Sequence, residues 1–277
     1  MRTLAGPMLA DENLPQAMSE VRLSTQAEKK IVAIGGGKGG IGKSLLASSL
    51  GIELARRGQR VILVDLDLGG ANLHTALGIA HPEETLYDFV GRRVETLEEL
   101  AVETGIENLR LISGSLDAIG AANPLHQQKL RLMRAIQGLN AEIILLDLGA
   151  GSHFNVLDFF LLADQGIVTL VPEPTAVENA YRFVKAAFFR RLKAVEAVYD
   201  LHEQLATAMK SKRPMSPAEL LQSVSERDME AGRRLAEEMR AFNTGQPGAD
   251  AKERAGGRRR HAPACALAAS CSPALIP

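Results

Sequence analysis

Five short runs along the chain are apolar without the polar alternation of a half-buried strand: residues 30–35 (KIVAIG), 60–65 (RVILVD), 108–113 (NLRLIS), 141–147 (AEIILLD) and 167–171 (IVTLV). A strand of that kind is covered on both faces, as in the middle of a parallel sheet. Between these runs the apolar positions recur at helical spacing. Leu46, Leu50 and Leu54 fall at i, i+4 and i+8 of a helix expected over residues 45–57, which Gly58 is placed to end. Residues 82–104 predict short helices, around Leu86, Phe89 and Val90 and then around Val94, Leu97 and Leu100. Further helices are expected over residues 124–138 and 156–163, and a long one over 176–199 carries Tyr181, Val184, Phe188 and Leu192 on one stripe. Ser216-Pro217 reads as the cap and first position of another helix, and residues 226–242 as a charged, amphipathic one. Strands alternating with helices predict an α/β fold, a doubly wound and mostly parallel sheet. The expected organisation is a flexible extension over 1–28, one α/β domain over 29–200, a helical segment over 201–243 and a tail over 244–277.

Composition narrows the function. A chain of 277 residues with 46% hydrophobic content can bury a sizeable core. A formal net charge of −1, 4% aromatic residues and no Trp argue against nucleic acid as the partner, since neither a basic field nor stacking platforms are provided. The two cysteines, Cys265 and Cys271, lie close together near the C-terminus and give no disulfide framework, which suits a reduced cytoplasmic setting. No run reaches the roughly 18 apolar residues of a membrane span, and the first residues lack the apolar core of a signal peptide. A cytoplasmic location is expected.

The chemistry is concentrated between the first strand and the helix after it. Gly37 through Gly42-Lys43-Ser44 fits G-x-x-x-x-G-K-[ST] in the strand–loop–helix setting that can hold a phosphate. Glycines let successive backbone N–H groups turn inward around phosphate oxygens; Lys43 is expected on the β and γ phosphates and Ser44 on Mg²⁺. The binding set expected is Gly37, Lys38, Gly39, Gly40, Ile41, Gly42, Lys43, Ser44 and Leu45, with Pro172, after the fifth strand, on the base side. Asp65 and Asp67 stand at the carboxyl end of the second strand, the edge at which such sheets bind ligands. Asp147, followed by Gly149 and Gly151, has the form of an acid that holds Mg²⁺ through water ahead of a turn free to move with the γ-phosphate. Ser44, Asp147 and one of the pair Asp65 and Asp67 are thus the candidate metal residues, with ATP and Mg²⁺ as cofactors.

Lys38-Gly39-Gly40-Ile41-Gly42-Lys43-Ser44 resembles the deviant Walker A motif, K-G-G-x-G-K-[ST], of the MinD/ParA family of P-loop ATPases. The D-x-D-x-G at residues 65–69 and the D-L-G-A-G at 147–151 follow in family order. Residues 67–72 (DLGGAN), Glu173-Pro174-Thr175 and Glu178-Asn179-Ala180-Tyr181 resemble the FlhG/FleN branch, which regulates flagellar number and placement. The resemblance spans roughly residues 30–195. It implies a switch in which ATP is sandwiched in a homodimer, with Lys38 crossing to the partner's phosphates as a finger in trans and Asp67 positioning the attacking water. Asp65 and Asp147 would act around Mg²⁺, hydrolysis would be slow, and a regulatory protein would be the further partner. Peripheral membrane association occurs in the family.

Beyond residue 242 the family's later strands, its adenine-holding Asn segment and its terminal amphipathic helix have no counterpart in the sequence. Composition there shifts to Gly, Arg258 to Arg260, and an Ala/Pro/Ser/Cys stretch. This reads as a disordered tail, a basic contact segment or out-of-frame translation, the last favoured. Such an ending is expected to leave residues 167–171 as an unpaired apolar edge, with weakened ATP binding and poor solubility. In the N-terminal extension, Gln16-Ala17 and Val21-Arg22 partly resemble a D-Q-A-x-x-L-R activator motif, with the spacing one residue too long. A truncated product without activity, an iron–sulfur carrier using Cys265 and Cys271, and a P-loop synthetase stand as alternative functions.

Overall fold

The computed structural model describes residues 29–67, 70–80, 82–114, 126–199, 217–244 and 264–269. The N-terminal extension with Gln16, Ala17, Val21 and Arg22 lies outside them, as do Gly69, residues 201–216, Arg258 to Arg260 and Cys271.

The strands are β1 (Lys30–Gly35), β2 (Val61–Leu66), β3 (Val102–Glu103), β4 (Leu109–Ile112), β5 (Ile143–Leu148), β6 (Gln165–Leu170) and β7 (Ala264–Ala269). The helices are α1 (Lys43–Arg56), α2 (Leu73–Ala76), α3 (Leu86–Val90), α4 (His126–Gly138), α5 (Phe154–Leu162), α6 (Pro174–Tyr199), α7 (Pro217–Ser225) and α8 (Met229–Thr244), with a 3₁₀ turn at Leu97–Leu100. They build one sheet in the order β3-β4-β2-β5-β1-β6-β7, parallel except for the short β3.

The five apolar runs are the five central strands, and their two-sided burial is visible residue by residue. Ile31 and Ala33 of β1, Ile62 and Val64 of β2, and Ile144 and Leu146 of β5 face the core beneath α4, α5 and α6. Val32 and Ile34, Val61 and Leu63, and Ile143 and Leu145 face the other layer, which α1 covers. Alternate residues thus enter different cores, so neither face of these strands is polar.

In α1 the deepest positions are Ala47, Ser48, Gly51 and Ala55, while Leu46, Leu50 and Leu54 pack at the flanks. The small residues let the helix come close: a Cβ on Gly51 would lie 3.1 Å from the Leu63 side chain. Leu220 and Val224 of α7 and Ala231 and Leu235 of α8 extend the core on the α4–α6 side.

The far edge differs from expectation. β6 is not left unpaired: β7 runs parallel along it from Gln165↔Ala264 to Leu170↔Ala269. The sheet goes one strand beyond the fifth expected one, and Ala264–Ala269, within the stretch read as a disordered or out-of-frame tail, supplies that strand. The free N–H and C=O groups along β6 form a template that a low-propensity Ala-rich segment can satisfy through its backbone alone.

Candidate functional site

The carboxyl ends of β1, β2 and β5 lie side by side, which puts the phosphate-type loop and three aspartates at one edge of the sheet. Ile34 is the register partner of Asp147, and Asp147 is that of Asp65.

The loop leaves β1 at Gly35 and is held from behind by α6. A Cβ on Gly37 would lie 2.3 Å from the Asn179 carbonyl oxygen, and one on Gly35 would meet the Phe183 ring at 2.9 Å. From the side, the Gly151 N–H donates to the Gly36 carbonyl at 3.2 Å, and the buried Ile41 side chain folds over Gly36. Gly39 and Gly40 are exposed at the tip. Gly42 adopts φ 84°, which glycine tolerates, and from it α1 starts with no side-chain cap and no acid in its first turn. The free N–H groups and positive end of α1 therefore point into the loop, where an anion is favoured.

The two lysines of the loop are placed differently. Lys43 is buried, and its Nζ donates to the Lys38 carbonyl at 3.3 Å. Burial pulls its pKa down, opposed by the charges of Asp147 and Asp67. Lys38 is about half exposed, with its Nζ 3.7 Å from Glu173 Oε2 in the β6–α6 turn. Pro172 lies exposed in that same turn, and it is its neighbour Glu173 that reaches the loop. Leu45 points outward at 70% exposure.

The acids beneath the loop are unequal too. Asp147 is buried and hydrogen-bonded by the Ser44 side chain, while its Oδ1 is buried without a partner. Burial pushes its pKa up to about 6, the Ser44 bond and Lys43 charge opposing the rise. Asp65 is buried as well, and its pKa is pushed up to about 7, first by desolvation and further by the Asp147 and Asp67 charges. Its oxygens are already engaged: Oδ1 accepts from the Asp67 N–H at 3.1 Å and Oδ2 from the Leu73 N–H at 3.0 Å. Asp65 thus anchors both ends of the segment that carries Asp67. Asp67 lies against the turn after β5, where a Cβ on Gly149 would be 3.1 Å from its Oδ1.

The structure therefore gathers Gly37 to Leu45, Asp65, Asp67 and Asp147 at one edge. Glu173 and Asn179 stood in the sequence only as parts of the FlhG/FleN-like segments, with no place at the loop expected for them, and Phe183 was not singled out. The residues suit a magnesium nucleotide, because an orphaned carboxylate oxygen, a serine hydroxyl and a buried lysine meet an uncapped helix start. Among the described residues no three His, Cys, Asp or Glu are grouped to hold a metal ion. Nor is any described helix long and apolar enough to cross a membrane.

Residues 29–201 match the AAA domain family. The antiactivator FleN of Pseudomonas aeruginosa is 30% identical over 158 residues, which cover 56% of this chain and 55% of FleN. The crystal structure of the Pyrococcus furiosus cell division ATPase MinD superposes with a TM-score of 0.50 at 27% identity, over 55% of this chain and 64% of that one. The septum site-determining protein MinD from Pyrococcus horikoshii, solved with Mg-ADP, shares the fold with a TM-score of 0.53 at 22% identity, over 76% of this chain and 96% of that one. The chain spans about half the length of the curated relatives it matches. On its matched domain, its loop and its relatives, the chain belongs to the AAA domain family and, within it, to the MinD/ParA ATPases with a FleN-like character.

Proposed function

We propose that this chain is an ATP-driven dimerisation switch that regulates the number or position of a cellular structure through a protein partner. The observation that carries this reading is the division between the two loop lysines. Lys43 is buried with its Nζ on the Lys38 carbonyl, within its own loop, whereas Lys38 is half exposed and turned toward Glu173.

Bound Mg-ATP supplies the phosphoryl group and the metal charge that stabilises its transfer. Backbone N–H groups of residues 37–45 hold the phosphates, and Lys43 neutralises them from below. Ser44 and Asp147 hold Mg²⁺, with Asp65 keeping the 67–73 segment in place. Asp67 orients the water that attacks, and Lys38 of a second copy completes the charge stabilisation. Pro172 borders the base side.

Exposed apolar side chains around the site support a second copy as the covering partner. Leu45, Phe154, Val177 and Tyr181 are 70%, 60%, 51% and 56% exposed, and they belong to α1, α5 and α6, the elements that border the loop. Exposed apolar side chains that form one contiguous patch are the usual mark of an interaction surface. Dimerisation buries them only when ATP orders the loop, so the exposed surface reports the nucleotide state. A cytoplasmic location is part of the same proposal.

Light scattering of the full chain with Mg-ATP and with Mg-ADP tests it. The mass doubles with ATP, or with a non-hydrolysable analogue, and stays monomeric with ADP. An unchanged mass in all three overturns the switch.

A further inference from the structure

Asp158 is the single acid in α5, a helix otherwise made almost wholly of apolar residues, and it is buried. Its Oδ2 accepts from Lys129 Nζ of α4 at 2.6 Å and from Arg190 Nη2 of α6 at 3.1 Å. Its Oδ1 accepts from Arg190 Nε at 2.8 Å. Lys129 also donates to Asn155 Oδ1 at 3.3 Å, and the Arg190 guanidinium lies 4.9 Å from the centre of the Phe154 ring. One carboxylate therefore joins three helices.

Such a cluster is poor value for stability alone. Apolar residues of similar volume often serve a core as well, because the desolvation cost of buried charges offsets their attraction. What a forked, fully bonded carboxylate does supply is a fixed register between the elements it joins.

The position of those elements gives the register a use. α5 begins directly behind the turn 149–153, whose Gly151 N–H is bonded to the phosphate loop at Gly36. The near end of α6 packs on the same loop through Asn179 and Phe183. A turn that shifts with the γ-phosphate would move α5, and the Asp158–Arg190 fork makes α6 move with it.

We infer that Asp158 is a positioning residue, bonding the helix behind turn 149–153 to the far half of α6 so that the nucleotide state of the loop is expressed at residues 185–193. This rests on the nucleotide-switch reading, and it adds where that state is displayed and by what bond.

Hydrogen–deuterium exchange of the full chain, with a non-hydrolysable ATP analogue against ADP, tests it. In the wild type, residues 185–193 differ between the two states. In Asp158→Asn that difference falls at least about threefold while the loop at 36–44 keeps its own. Lys129→Met, which leaves the fork to Arg190 intact, retains the wild-type difference. A folded Asp158→Asn chain with the full difference overturns the inference. So does an equal loss in Lys129→Met, since general loosening would then explain both, and so does a wild type with no difference at 185–193. If Asp158→Asn does not fold, Arg190→Lys, which keeps the charge and loses the fork, is read by the same criteria. Scattering reports dimerisation separately, so failure of the switch and failure of this coupling are told apart.

Discussion

Asp65 and Asp147 are register partners on the adjacent parallel strands β2 and β5, and burial pushes the first to about pH 7 and the second to about 6. Each acid also raises the cost of ionising its neighbourhood, since both feel the Asp67 charge and Asp65 feels Asp147. In the unfolded chain both ionise near pH 4. The fold therefore holds protons that unfolding releases between about pH 4 and pH 7. Their contribution to stability is complete below about pH 4 and is lost as pH rises to about 7. For the nucleotide-free chain, Asp147→Asn is expected to exceed the wild type in unfolding free energy at pH 7.5 by about 1–3 kcal/mol, the gap closing toward pH 4. Urea titrations at the two pH values measure it, and a gap that stays constant with pH contradicts the assignment.

Lys43 is another charge kept in place at a cost. Its amine is buried and meets one loop carbonyl at 3.3 Å. Lys43→Met is expected to leave the melting temperature of the nucleotide-free chain unchanged or higher. It should abolish the rise that saturating Mg-ATP produces in the wild type, which at a hundredfold excess over Kd corresponds to about 2.7 kcal/mol. Thermal melts with and without Mg-ATP check both. A variant that keeps the wild-type rise would remove Lys43 from the phosphate site.

Two glycines of the loop, two residues apart, separate packing from chemistry. Gly37 faces the Asn179 carbonyl, which a Cβ would approach to 2.3 Å, whereas the nearest atom to a Cβ on Gly39 is 3.9 Å away. Because the first obstruction is helix backbone, Gly37→Ala is expected to cost about 2 kcal/mol or more. Gly39→Ala is expected to stay within about 0.5 kcal/mol. Chemical denaturation of the two variants side by side decides it, and equal effects would mean that α6 does not clamp the loop.

The fold was legible where the pattern is local. Continuous apolar strands announced a sheet covered on both faces, and the glycines with Lys43 and Ser44 announced the phosphate loop. The helix stripe of Leu46, Leu50 and Leu54 pointed slightly off the true contact face, because Ala47 and Gly51 win close approach by being small rather than hydrophobic. The two-residue β3 was too short to carry a period, and β7 has no β-branched residue to mark it. At the site, hydrogen bonding reassigned emphasis: Asp65 spends both oxygens on backbone N–H groups, which its D-x-D spacing could not reveal. The Lys38–Glu173 pair joins residues far apart in sequence and had no local signature. Asp158 did have one, a lone acid inside an apolar helix, which calls for buried cations on neighbouring elements.

The central claim is that Lys38 acts on a second copy's phosphates while Asp67 acts on its own. Lys38→Ala and Asp67→Ala are each expected to lack hydrolysis alone. Mixed in equal amounts with Mg-ATP, they are expected to recover about a quarter of wild-type turnover, because half of the dimers are mixed and each has one complete site. Phosphate release from the mixture is the measurement. Recovery near that level supports the shared site, and a mixture as inactive as its two components contradicts it.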